Sequence, residues 1–537
     1  MFSELNKPLW GFISLVALIS ALAALFAVQP WRDAILTQQH ALGQLQGGKW
    51  IKRLTARTRA ADDIAAASAS DVSANLGSGF YAQPVKLALA SNRETIRYTL
   101  DGSTPIQPSA AYHDPIVIDH TAVLRFRSFS PAAAPGPVGL RTFVVGTDFA
   151  LPVFSLVLEP AHLWNRHAGI YVNYNKRGAK WQRPATVEYL DRRQEQPLQF
   201  PAAVGLQGNW TRQARKKSFQ LLYASTALRA PDADGLLKPE NAGKKRTVVL
   251  RAAGVNTNYR LGHELFRSAF GAAGGLVPRS TPVMLLLNGK PWGVYQLQGK
   301  IDKNYLRERF GAADYEIVEM TEDDGRVGPG SWKTLLNCIA ARDLIDDDAF
   351  RQVAKLIDLD NLTDYWLFNV FSGHLDWPHN NQFAFRSADG SQPWRWISWD
   401  SDAAFQGAAV EHRTLEWSLR DRRRDDLVYS SAGPQIDDDP DFFSGQIMRS
   451  LLRNASYRER FYRRFKQLLV TDFAPVQLRR RFDRLLAELE PRLGVDWAIW
   501  PRSQETFRDG VDSVRRFIDE RPRHIQREFR EYFGRAD

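Results

Sequence analysis

At 537 residues, 44% of them hydrophobic, the chain is long enough to bury a large core and to divide into two or more domains. Its net charge of +11 is spread along the sequence and mixed with acids, and no zinc pattern or recognition motif accompanies it, which argues against nucleic acid as a partner. The sole cysteine, Cys338, excludes an internal disulfide and any cysteine-based metal centre.

The run from Pro8 to Val28 carries no charge. At about twenty residues it matches the hydrocarbon core of a bilayer and predicts a transmembrane helix, so 1–32 reads as a single-pass anchor. A cleaved signal peptide is the alternative, but the run is long for one and no small-x-small site closes it before Gln29-Pro30-Trp31. Lys7 and the free amine ahead of the run, set against Arg32 soon after it, tilt only slightly toward the amino end lying inside. Residues 33–78, rich in Ala, Gln, Ser and Asp with a basic patch from Lys49 to Arg59, read as a linker.

Over 79–148 the pattern becomes short alternating strands: Val85 to Leu89, Thr95 to Leu100, Ile116 to Ile118 and Ala122 to Arg127. Turn residues at Asp101-Gly102-Ser103 and from Pro131 to Pro137 separate them, which predicts a small β-sandwich. Ile96-Arg97-Tyr98-Thr99-Leu100-Asp101-Gly102-Ser103-Thr104-Pro105, followed by Tyr112, Pro115-Ile116 and Arg127-Ser128-Phe129, resembles the immunoglobulin-like domain at the carboxyl end of chitobiases and hexosaminidases. The resemblance implies an accessory module and a location outside the cytoplasm.

From 149 onward the chain reads as mixed β and α. Asn288-Gly289, between the β-rich runs Val283 to Leu287 and Trp292 to Leu297, predicts a hairpin, and a helix follows from Asp302 to Phe310. Upstream, the glycine-bearing turn Gly205 to Thr211 leads through Arg215-Lys216-Lys217 into a strand. Lysines at such a strand start either hold phosphates or point into water.

Next comes His374-Leu375-Asp376-Trp377-Pro378-His379-Asn380-Asn381, then the runs Gln382 to Arg386 and Trp394 to Trp399 around the turn Ser387 to Ser391. That pattern is a second hairpin, whose outer ends bring Asp376 and Asn381 toward Asp400 and Asp402. His374-x-Asp376-x4-Asn381 has the spacing of the protein-kinase catalytic loop, in which the Asp takes the proton of the attacking hydroxyl and the Asn holds magnesium. The structural alternative is that these acids and amides only cap turns. Trp164, Trp181 and Trp210 stand in turn-rich stretches where core packing and sugar stacking are both open.

Together these segments resemble the CotH kinase family, the spore-coat protein H type of atypical protein kinases. The motifs are Gly208-Asn209 with Lys216-Lys217-Ser218-Phe219, Val248-Val249-Leu250 with Tyr259-Arg260-Leu261, Asn288-Gly289 with Gly293-Val294-Tyr295, and Ile301-Asp302-Lys303. Asp376-Trp377-Pro378 with Asn380-Asn381, Trp399-Asp400-x-Asp402, and Phe517-Ile518-x-x-Arg521 complete the set. The resemblance implies an α+β fold: a two-lobed kinase-like catalytic domain over 149–537, preceded by the sandwich and the anchor. It implies Asp376 as catalytic base, Asn381, Asp400 and Asp402 as magnesium ligands, and Lys217, Lys216, Lys300 and Arg260 as nucleotide contacts, with Asn380 an alternative to Asn381. ATP and Mg2+ are the implied cofactors, and the acceptor is a hydroxyl of an envelope protein or glycan reached from the inner membrane on its periplasmic or outer side. The family's Glu before Lys300 is replaced by Gly299, leaving the strand lysine without its usual acid unless Gln298 or Lys300 compensates. A catalytically inactive envelope-binding protein and a metal-dependent hydrolase are the competing functions.

Overall fold

The computed structural model describes residues 71–535 except 94, 132, 225–234, 238–244, 253–256, 312, 321–328 and 420–444. The expected anchor, 1–32, lies outside the described residues, among which no helix is long and apolar enough to cross a membrane.

The sandwich contains β1 (Val72–Ala74), β2 (Gly79–Tyr81), β3 (Val85–Leu87), β4 (Leu89–Ser91), β5 (Thr95–Thr99), β6 (Ala110–Ala111), β7 (Ile116–Ile118), β8 (Ala122–Phe129) and β9 (Gly139–Val145). The main sheet runs β2-β9-β8-β5-β6, with the pairs β1-β4 and β3-β7 beside it. Leu124 and Phe126 of β8 alternate with partly exposed Arg125 and Arg127, so one strand face enters the core. The sandwich begins earlier than expected. Val72, within the stretch read as linker, is 3% exposed and lies opposite Ser91. A three-residue strand is too short to leave a periodic signal.

A seven-stranded closed barrel follows, in the order β10-β11-β12-β13-β14-β16-β15. Its strands are β10 (Val153–Val157), β11 (Arg183–Leu190), β12 (Leu198–Gln207), β13 (Ser218–Ala224), β14 (Lys245–Ala252), β15 (Ser280–Leu287) and β16 (Lys290–Gly299). All neighbours are antiparallel except β10 and β15, whose parallel pairing closes the cylinder. Phe154, Val187, Phe219, Leu250, Tyr295 and Leu297 fill the interior. Alternation along the strands then turns Gln220, Arg251 and Gln296 to the outer wall. The β15-β16 hairpin has Asn288 at φ 50° and Gly289 at φ 78°, the left-handed pair that Asn-Gly predicts. Its tip abuts the sandwich: a Cβ on Gly289 would come within 2.5 Å of the Val123 amide nitrogen. The sandwich and barrel also share a polar seam, in which Thr142 Oγ1 meets Ser155 Oγ at 2.9 Å and Ser78 donates to Glu188 at 2.7 Å.

The rest is largely helical. It comprises α1 (Pro160–Trp164), α2 (Thr257–Ala272), α3 (Lys303–Phe310), α4 (Gly330–Ala340), α5 (Asp347–Ala354) and α6 (Leu359–Phe371). It continues through α7 (Thr414–Leu419), α8 (Gly445–Leu451), α9 (Ala455–Val470), α10 (Pro475–Leu489), α11 (Gly494–Ile499) and α12 (Arg502–Phe533). Asp302 caps α3, as the sequence predicts, by accepting from the Tyr305 amide at 2.9 Å. A three-stranded sheet, β17 (Tyr315–Met320), β18 (Gln382–Ser387) and β19 (Arg395–Ser398), carries the second expected hairpin. α2 is an amphipathic helix whose Leu261, Leu265, Phe266 and Phe270 join one core with residues from α6, α10 and α12. Arg521 of α12 is fully buried, and its guanidinium donates to the carbonyls of Val370, Phe371, Val410 and His412. It thereby fixes the end of α6, from which the site loop departs.

Candidate functional site

β18 and β19 pair with Gln382 opposite Ser398, so the loop entering β18 and the loop leaving β19 emerge at the same sheet end. His374 ties them. Its Nε2 donates to the Asp400 carbonyl at 3.3 Å, which assigns the proton to that nitrogen. The ring is 1% exposed and Nδ1 has no hydrogen-bond partner. Burial, against the attraction of Asp400, lowers its pKa to about 4 and keeps it neutral.

Asp376 sits at the mouth of this arrangement with 43% of its side chain accessible. It accepts from Asn381 Nδ2 at 2.7 Å and Asn380 Nδ2 at 3.1 Å, and His379 Nε2 stands 3.6 Å away. Asn381 and Asp400 both hold left-handed backbones, at φ 57° and φ 46°. Conformations of that kind cost non-glycine residues roughly 1 kcal/mol or more and gather at functional sites.

The barrel supplies the facing charge. Arg251, at the outer wall of β14, pairs with Asp400 and, at 2.7 Å, with Asp402. On α2, His263 Nδ1 lies 3.6 Å from Asp402, and Glu264, 8% exposed, adds a further negative charge. Burial, then the like charges of Asp400 and Glu264, push the Asp402 carboxyl up to about 7 against the pull of Arg251. Burial works against the Arg251 guanidinium, yet the surrounding carboxylates outweigh it and raise its pKa. α2 reaches this position because Gly262 packs against the chain beyond Asp402: a Cβ there would meet the Ala404 carbonyl at 2.1 Å.

The lysines divide. Lys216 Nζ, on the outside of the barrel, is buried against Asp496 of α11 at 2.5 Å and donates to the Val294 carbonyl at 2.9 Å. Asp496 also accepts from the Val294 amide at 2.7 Å. Lys216 thus has an acidic partner, and it comes from α11 rather than from the position before Lys300. Gly293 makes room for it, at φ 111°, since a Cβ would lie 2.3 Å from Asp496 Oδ1. Lys217 turns the other way: its ammonium is held by the Arg212 and Ala214 carbonyls at 2.6 and 2.7 Å beside Tyr171 and Tyr174. Its ammonium is therefore engaged by this loop and these rings rather than by the group around Asp400. Lys300 Nζ donates to Gln220 on the barrel's outer wall at 3.2 Å. The Arg260 side chain lies outside those described.

Asp400, Asp402 and the Asn381 side-chain carbonyl oxygen are hard oxygen donors of the kind that magnesium takes. Among the described residues no three His, Cys, Asp or Glu side chains form a ready cage. Magnesium commonly takes one or two carboxylates and completes its shell with water and phosphate.

Arg251, His263, Glu264 and Asp496 are the functional candidates that sequence reasoning missed. Arg251 left one trace, a cation following the apolar run Val248-Val249-Leu250. Asp496, alone between Val495 and Trp497, left nothing that joined it to a lysine 280 residues away.

No curated protein matches the chain. A model of the chitobiase/β-hexosaminidase C-terminal domain matches residues 76–139, the sandwich. The model of the CotH kinase protein family matches 204–525, more than half of the sequence, and takes in Lys216, the barrel strand that carries Arg251, both carboxylate loops and Asp496. The chain belongs to the CotH kinase family, with a chitobiase/hexosaminidase-type domain ahead of its kinase domain.

Proposed function

We propose that the protein is a membrane-anchored atypical kinase that transfers the γ-phosphate of ATP to a hydroxyl of an envelope protein or glycan. The barrel is one lobe and the helical part the other, and residues 1–32 hold the chain in the inner membrane with its bulk on the periplasmic or outer side. The observation that carries the reading is the meeting of the two carboxylate loops at one sheet end opposite Arg251, in a chain of this family.

Asp376 is the proposed base. Its carboxylate, oriented by Asn380 and Asn381 and open to solvent, takes the proton of an incoming hydroxyl. Asp400, Asp402 and Asn381 would hold magnesium, which supplies charge neutralisation for the phosphates when bound. Lys216, fixed by Asp496, and Lys300, fixed by Gln220, are the cations offered to the nucleotide from the barrel. Phosphoryl transfer needs positioning and charge more than covalent chemistry, and this set supplies both.

A second reading, a kinase-like binding protein without transfer, is favoured by the Arg251 pairs, which engage both carboxylates that magnesium would need. Magnesium-dependent labelling with γ-labelled ATP separates the two. Asp376→Asn should bind nucleotide like the parent protein and transfer about a hundredfold less phosphate. If the unaltered protein binds magnesium and ATP yet labels no hydroxyl-bearing envelope component, the binding-protein reading replaces the enzyme.

A further inference from the structure

Two stretches at one end of the barrel contain no acid at all. Neither Asp nor Glu occurs from Pro160 to Val187 or in the β12–β13 connection from Gln207 to Ser218. Hydrogen bonds knit them into one surface: Arg212 donates to the Lys176 carbonyl at 2.9 Å, the Tyr171 hydroxyl to the Arg215 carbonyl at 2.5 Å, and Arg177 to the Asn209 side chain. Lys176, Arg177, Lys180 and Arg215 are exposed, and among the described residues none of them meets a carboxylate. Like charge has accumulated here. Burial and then the neighbouring Arg177 lower the pKa of Arg212.

Aromatic rings are rooted in the same surface. Trp164 is 45% exposed although its indole packs 4.8 Å from the Tyr171 ring and 6.0 Å from that of Trp292, which Trp500 braces at 5.6 Å. A large, flat, exposed ring held in place by a stack beneath it is a platform that loses little freedom when covered.

A ligand matched to this surface carries repeated negative charge and apolar ring faces. We infer that this barrel end binds an anionic polysaccharide, Trp164 taking the face of a sugar ring while Lys176, Arg177 and Lys180 take its acidic groups. Single-stranded nucleic acid is held by a longer succession of stacked bases than the two rings most exposed here among the described residues, Trp164 and Tyr174, supply. Membrane surfaces are entered by an amphipathic helix with a broad apolar face, and α1, at five residues, is too short to be one. The surface borders the proposed nucleotide contacts, since Trp292 adjoins Gly293 beside the Lys216–Asp496 pair, but the assignment itself needs neither nucleotide nor Asp376.

The test is equilibrium titration of the full chain, without nucleotide, with polygalacturonate, neutral dextran, single-stranded DNA and phosphatidylglycerol vesicles. Polygalacturonate should bind in a salt-sensitive manner and dextran should not. Trp164→Ala should weaken polygalacturonate by about tenfold, a usual scale for one well-placed contact. Lys176→Glu combined with Lys180→Glu alters only exposed side chains, should fold normally and should abolish most of the binding. Absence of polygalacturonate binding, tighter binding of DNA or vesicles, or a Trp164→Ala protein that binds unchanged would each overturn the inference.

Discussion

The Lys216–Asp496 pair gives the strongest test of how the barrel is held to the helical part. Both side chains are nearly inaccessible, 8% and 7%, and the Asp496 oxygen receives both the ammonium and the Val294 amide. Asp496→Asn preserves shape and an acceptor for that amide while stranding a buried ammonium, a change that commonly costs about 3–5 kcal/mol. Lys216→Met strands the carboxylate in the same way. The double variant removes both charges, so its loss should fall well short of the sum, by roughly 2 kcal/mol or more of coupling. Gly293→Ala should cost at least as much as Asp496→Asn, because its methyl occupies the carboxylate's place and its φ of 111° strains any side chain. Urea unfolding reads each variant as a midpoint shift at constant slope. Asp496→Asn costing under about 1 kcal/mol, or single effects that simply add, would refute the view that this pair links the two parts.

Three further outcomes are expected. His374 has its pKa lowered from 6.5 to about 4 in the fold, so it contributes stability that is present above pH 6.5 and is lost as pH falls toward 4, in all about 3 kcal/mol, and His374→Gln should flatten that acid limb in thermal melts. Asp402, raised to about 7, becomes an anion only as pH climbs through that value, so magnesium-dependent nucleotide affinity should rise from pH 6 to 8 and Asp402→Asn should lose the slope. Glu188 is buried in the sandwich seam with its pKa raised by burial and its Oε2 unpartnered, so Glu188→Gln, which keeps the acceptor for Ser78 and Gln199, should stabilise the chain by about 1 kcal/mol at pH 8 and by less as pH falls.

Local chemistry made parts of this fold legible. Asn288-Gly289 encodes a left-handed turn, the run Ser387 to Ser391 encodes another, and Asp302 encodes a helix start, each within a few residues. The carboxylate loops were readable for the same reason, as the two ends of one hairpin. What escaped were partnerships across long separations. The barrel closes through β10 against β15, a parallel register that neither strand's pattern specifies. Arg251 meets Asp400 across 149 residues, and the choice of Lys216 over Lys217 depends on which face of β13 each lysine takes at its entry.

Those long-range partnerships share a direction. In both ion-paired clusters the barrel presents the cation, Arg251 or Lys216, and the helical part presents the acids, Asp400 and Asp402 in one and Asp496 in the other. Packing of α2 against Ala404 fixes the distance between the two sides, and the charges fix their register. In the proposed reaction, magnesium and nucleotide would have to compete with Arg251 for Asp400 and Asp402, because one guanidinium already serves both. Asp402 can serve the ion only as an anion, the form that Arg251 also holds, so the competition is for the deprotonated carboxylate. Arg251→Met should therefore separate the two functions of the cluster. If Arg251 only neutralises the acids while the site is empty, the variant should bind magnesium more tightly and nucleotide at least as well, at some cost in stability. If instead magnesium affinity is unchanged while nucleotide affinity falls about tenfold, Arg251 is itself a phosphate contact and the competition argued here does not occur.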